Sequence, residues 1–134
     1  MMTNSDVTIY NKKYNEQTRL DEWFGTVLRN VHVFVDHKVA VTEKGLKSAD
    51  LYKIRVPEEV ETPKIYIPSS EYMGKGGEGT YWTISKGDII VMGNLSTNIK
   101  KPSDLSILGV DFCTVSSFSD NRHGMLPHWR IFGE

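Results

Sequence analysis

Cysteine is almost missing from this chain: Cys113 is the only one in 134 residues, so no internal disulfide can form. That excludes a disulfide-stapled scaffold and fits a protein made in a reducing cytoplasm. An excess of either charge is missing too. Sixteen basic and seventeen acidic residues leave a net charge of −1, which removes the general attraction on which sequence-independent nucleic-acid binders rely. No apolar run approaches the roughly 18 residues needed to cross a bilayer. The opening Met1-Met2-Thr3-Asn4 has neither a basic stretch nor an apolar one behind it, so no export signal and no membrane contact are expected. Repeats, low-complexity tracts and linkers are absent as well. The expectation is one domain spanning 1–134, with 39% hydrophobic and 25% charged residues, large enough to bury a core without metal or disulfide support.

What the chain does have is a period of two. Val7–Tyr10, Val31–Val35, Val39–Val41, Leu51–Val56, Ile65–Ile67, Tyr81–Ile84, Ile89–Val91, Phe112–Val115 and Trp129–Phe132 are short and rich in β-branched and aromatic residues. Most are bounded on at least one side by Gly, Pro, Asn, Asp or Ser, the punctuation of strands. The expected fold is mostly β, a single small β-barrel or sandwich with long loops and one or two short helices. Ser103 reads as the cap of a short helix over Asp104–Leu108 that stops at Gly109, and Ser69–Tyr72 as a single turn. Residues 14–24 read as neither helix nor strand, and 1–24 as an extended N-terminal segment.

The sites that chemistry would need are weak. Gly74, Gly76, Gly77 and Gly79 satisfy a dinucleotide-binding glycine spacing, but a strand-like Thr80–Ile84 follows where that fingerprint needs a helix N-terminus. Residues 72–80 therefore read as a mobile glycine-rich loop, and Lys75 and Glu78 within it as contact residues. His32, His37, His123 and His128 lack the short fixed spacing of a metal pair. Cys113 lies in an apolar-alternating run and reads as a packing residue, not a nucleophile. Glu58-Glu59 and Asp21-Glu22 are adjacent carboxylates, which diverge on a strand or a helix and form no acid–base pair. Lys86-Gly87-Asp88 reads as a tight turn into a buried strand, and Asp120–Gly124 as a hairpin loop. The reading is of a protein with no catalytic residue, no cofactor and no metal.

A resemblance adds a setting. Asp6–Tyr14, Thr18–Asp21, Trp23-Phe24 and Thr26–Val31, followed by Thr42–Val56, Lys86–Val91 with Gly93, Asp120–Arg122 and His128-Trp129, carry a pattern over most of the chain. It resembles small structural proteins of the head and neck modules of tailed bacteriophages and prophages of Gram-positive bacteria, described as minor capsid, head–tail connector or head-closure proteins. The resemblance implies a non-enzymatic virion component in the neck, made in the host cytoplasm. Its implied partners are copies of itself in an oligomeric ring and the adjacent portal, adaptor or tail proteins, close to packaged DNA.

Residues expected to make those contacts are Tyr10, Tyr14, Trp23 and Phe24, which crowd a stretch too irregular for all to face one core, and Arg122 in the 120–124 loop. Tyr, Trp and Arg are the residue types that interfaces favour. Three alternatives stand beside this reading. One is a tail-completion protein. Another is an oligonucleotide- or sugar-binding barrel of the OB type, which would carry an aromatic pair flanked by Lys or Arg on one exposed face and bind more weakly as salt rises. The last is an enzyme assembled from the histidines with Asp36, Asp50 or Asp120, which would need a pocket around a perturbed titratable group.

Overall fold

The structure is a computed structural model that describes residues 5–42, 45–74, 79–95, 97–123 and 125–134, with backbone alone for 36–42 and 45–50. Its elements in chain order are β1 (Ser5–Asn15), β2 (Leu20–Thr42), β3 (Gly45–Pro57), β4 (Ile65–Tyr66), α1 (Ser69–Gly74), β5 (Tyr81–Trp82), β6 (Ile89–Met92), α2 (Ser103–Leu108), β7 (Phe112–Asn121) and β8 (His128–Gly133). Six of the strands close into an antiparallel barrel in the order β1-β2-β3-β8-β7-β6, and β4 and β5 form a separate parallel pair. The mostly β expectation holds, and closure removes the lateral edges that an open sheet would expose.

Alternation explains why this sequence closes as it does. Val7, Ile9, Leu28, Val31, Ile54, Val56, Ile90, Cys113, Val115, Trp129 and Ile131 are all buried and pack together as the barrel core. Intervening residues face outwards, except on β1 and β6, where Val7–Asn11 and Ile89–Val91 are buried without a break. Both faces of these two strands are covered. A second cluster of Tyr10, Ile89, Val91, Ile99 and Leu105 lies on the outer side, sealed by α2 and its flanking segments.

Strand β2 joins the parts. It pairs with β1 from Leu20 to Val31 and with β3 from His32 to Thr42. Where it changes partner the register slips, Ser5 opposing Val31 while Val7 opposes Leu28. Asn30 there has a φ of 61°, and its N–H donates to the Asp6 carboxylate at 3.0 Å. A bulge of this kind bends a strand sharply and turns a barrel corner.

Several expectations need correction. Thr26–Val31, Val31–Val35 and Val39–Val41 are one strand, not separate ones. Residues 14–24 are not irregular: Lys12 opposes Trp23 and Tyr14 opposes Asp21 in a regular hairpin. The 1–24 segment is not an extended arm from Ser5 onwards, because Ser5–Asn15 is a barrel strand held between β2 and β6. Ser103 does not cap α2. Its N-cap position is Pro102, and the Asp104 carboxylate instead accepts the Lys100 and Lys101 N–H groups at 2.9 and 3.3 Å.

Candidate interaction surfaces

The expected contact residues separate once they are placed. Tyr10 is buried in the outer cluster and its hydroxyl donates to the Thr97 carbonyl at 2.6 Å. It is a core residue, so its reading as a surface contact is corrected. Gly25 opposes it across the hairpin. A Cβ there would sit 2.8 Å from the Tyr10 ring, so only glycine lets the ring lie flat on β2. Trp23 is half-buried and packs against the same cluster. Phe24 is half-buried on the opposite face of β2, and Tyr14 alone of the four is well exposed, at 56%. The hairpin that carries them is stiff at its tip, where the Asn15 carboxamide accepts the Gln17 N–H at 2.9 Å and donates to Glu22. Lys75 and Glu78 lie outside the described residues with the rest of 75–78, while residues 72–74 of the expected loop are the last turn of α1, with Tyr72 buried.

Arg122 proves to be an internal anchor. Its guanidinium grips both carboxylate oxygens of Asp120, with Nε at 2.9 and 3.0 Å and Nη2 at 2.7 Å. It also lies over two rings, 5.2 Å from the centre of Tyr66 and 5.1 Å from that of Trp129. Those rings and Trp82 form a mutually packed triad with centroids 4.6 to 5.4 Å apart. Arginine suits this place because a planar cation can stack and bind a carboxylate at once. The hydrogen bonds from Arg122 hold the Asp120 carboxyl below its ordinary range. The β7–β8 turn is thereby fastened to β4 and β5, and Arg122 is already engaged within its own chain.

The described residues among those considered for catalysis and metal binding do not converge. Among the described residues no group of three or more His, Cys, Asp or Glu side chains lies close enough to hold a metal ion. Cys113 is buried, and burial pushes its thiol up to about 12, far from a reactive thiolate. His128 is half-buried on β8 and its Nδ1 lies 2.6 Å from the Leu126 carbonyl. The side chains of Asp36, His37 and Asp50 lie outside the described residues.

Asp88, a turn residue by its sequence, is also a buried carboxylate. Asp88 is 1% exposed and accepts three hydrogen bonds: from the Lys12 N–H at 3.0 Å, the Ser85 N–H at 2.8 Å and the Asn11 carboxamide at 2.9 Å. Asn11 in turn donates to the Thr83 carbonyl at 2.6 Å. The network fastens β1 to the β5–β6 turn. Burial outweighs these bonds and pushes the Asp88 carboxyl up to about 6. All three donors belong to the chain itself, so the carboxylate serves as a clamp.

The outer face of β2, β3 and β8 brings together residues that lie far apart in the sequence. Registers place Phe34, Lys53 and Phe132 in one row across the three strands and His32, Arg55 and Arg130 in the next. The signal was present as residues two apart, Phe34 after His32, Arg55 after Lys53 and Phe132 after Arg130. It becomes a patch only when the strands align.

A closed six-stranded antiparallel barrel with long hairpins, a filled interior and a helical cover on one side defines a small β-barrel scaffold. The chain belongs to a family of unknown function, DUF6751, whose match runs over residues 2–134. No curated protein and no solved structure matches it.

Proposed function

We propose that this protein is a non-enzymatic structural subunit of a phage particle, a head–tail connector or head-closure component of the neck. It acts through contacts with copies of itself and with portal, adaptor or tail proteins. The observation that supports this reading most is the ribbon formed by β2 and β3 beyond the barrel. Pairing of β2 with β1 ends at Val31, and pairing of β3 with β8 begins at Tyr52. Between them the pairs from Asp36–Leu51 to Thr42–Gly45 form a two-stranded ribbon, with no further strand on either side among the described residues. At about 3.3 Å per residue it reaches some 20 Å past the barrel wall.

A two-stranded ribbon is marginal by itself and presents unpaired backbone donors and acceptors along both margins. A neighbouring subunit that adds a strand or a face supplies what the ribbon lacks. Among the described residues the ribbon is open along one margin of β2 and one of β3, so subunit contact there costs little. The sequence resemblance to neck proteins supplies the setting, a ring at the portal vertex assembled in the host cytoplasm.

The test is to shorten the ribbon and follow particle assembly. Replacing residues 38–49 with an Asn-Gly turn keeps the His37–Asp50 pair and supplies the preferred two-residue hairpin chemistry. The barrel should keep its far-ultraviolet circular dichroism, while particles made from a genome carrying the variant should accumulate as heads without tails. Normal numbers of infectious particles from that genome would overturn the proposal.

A further inference from the structure

The β2–β3–β8 face combines positive charge with aromatic rings in a way that neither barrel stability nor subunit contact requires. Its two rows, completed on β7 by Ser117 and Ser119, contain no carboxylate. The molecule as a whole carries a net charge of −1, so Lys53, Arg55 and Arg130 are a local concentration of one sign. Neither arginine forms an ion pair among the described residues. The Arg130 Nε is enclosed without a hydrogen-bond partner. A shallow depression of about 190 Å³ is lined by Lys53, Arg55, Arg130 and Phe132. Phe34 is 53% exposed, and the Lys53 ammonium lies 5.8 Å from the centre of its ring. Phe34 and Phe132 flank β3 in the same row, two strand spacings or about 10 Å apart.

We infer that this face binds single-stranded nucleic acid, with Phe34 and Phe132 as stacking platforms and Lys53, Arg55 and Arg130 on the phosphates. A single strand fits better than a duplex because its unstacked bases can lie on the two rings while the backbone follows the cations between them. A strand also suits a face that reads charge and ring surface without a groove for base edges. The inference rests on the face alone and is independent of the assembly role proposed above.

Fluorescence anisotropy of a labelled oligothymidylate of about twelve nucleotides tests it, with salt varied from about 50 to 200 mM. With three phosphate contacts the logarithm of affinity should fall with the logarithm of salt at a slope of about −2. Arg55→Ala with Arg130→Ala should weaken binding at least about tenfold and flatten that slope to about −0.7. Phe34→Ala should weaken binding about tenfold and leave the slope unchanged, since stacking carries no counterion release. Circular dichroism checks that each variant is folded, and the exposure of Phe34 makes its loss tolerable. No binding at 50 mM salt overturns the inference. So does competition by a poly-glutamate peptide equal to that by the oligonucleotide, with Phe34→Ala without effect, because the face would then be an acidic-protein contact. Equal affinity for a duplex overturns the stacking role.

Discussion

At the scale of single residues, the most consequential groups are those whose environment is out of the ordinary. Asp88 has its folded-state carboxyl pushed up to about 6 by burial, from an ordinary 3.8. The folded protein therefore holds this proton more tightly than the unfolded chain, and stability from this group rises as pH falls from about 6 towards 4. The gain amounts to on the order of 3 kcal/mol for about two pKa units. Urea denaturation at pH 7, 6, 5 and 4 should show this upward contribution in the native chain and its loss in Asp88→Asn. A second residue-scale constraint is Gly133, where an added Cβ would lie 2.5 Å from the Cys113 sulfur and 3.2 Å from the Thr114 carbonyl oxygen. Gly133→Ala should cost about 1–3 kcal/mol by overpacking. Adding Cys113→Ala should recover part of that loss, because it removes the sulfur and leaves the backbone clash. The same burial makes Cys113 a reporter: its reaction with a thiol reagent should proceed at the rate of global opening. Arg122→Ala removes a bidentate carboxylate contact and two ring contacts at a site about one-third exposed. A loss of roughly 1 kcal/mol is expected in thermal unfolding, consistent with partly exposed pairs and cation–π contacts.

At the scale of elements, β2 decides the architecture. Its 23 residues run through the barrel wall and out into the ribbon, and the bulge at Asn30 lets one strand serve both β1 and β3. This length was not legible, because the eye divides a strand wherever polar residues interrupt the pattern: Asp36, His37 and Lys38 separate Val31–Val35 from Val39–Val41. A ribbon solvated on its flanks tolerates such residues, so the break in hydrophobicity marks the end of the barrel and not the end of the strand. Helix α2 is the opposite case. Its stop at Gly109 was readable from a local signal, whereas its start, which no side chain caps, and its purpose, covering Tyr10, Ile89 and Val91 with Leu105, were not. Leu105 is fully buried. Leu105→Ala should lower stability by about 2–4 kcal/mol, and Tyr10 fluorescence and near-ultraviolet dichroism should report the loosened cover.

At the scale of the whole molecule, the barrel is closed by pairings between distant parts of the chain. β1 must find β6, more than seventy residues away, and β3 must find β8, as the Val7–Met92 and Tyr52–Gly133 pairs require. Such non-local closure carries a loop-entropy cost before any contact rewards it. Stopped-flow refolding should accordingly fall in the millisecond-to-second range typical of β topologies. Shortening the β2–β3 ribbon should leave that rate within about a factor of two, because its pairs are local and lie outside the ring. A large slowing would show that the ribbon forms with the barrel's folding nucleus.

By itself the sequence determined the class of this protein: a mostly β fold, a buried thiol and a turn ahead of β6. These follow from side-chain period and turn chemistry, which act over a few residues and can be read along the chain. Only the tertiary structure decided that the sheet closes, that Tyr10 faces a core while Tyr14 faces water, that Arg122 is bound within its own chain, and that Phe34, Lys53, Arg55, Arg130 and Phe132 form one face. Each of these depends on strand register and on which strands become neighbours. Burial and charge clustering are properties of that alignment, and a period of two leaves them open until the ring has formed.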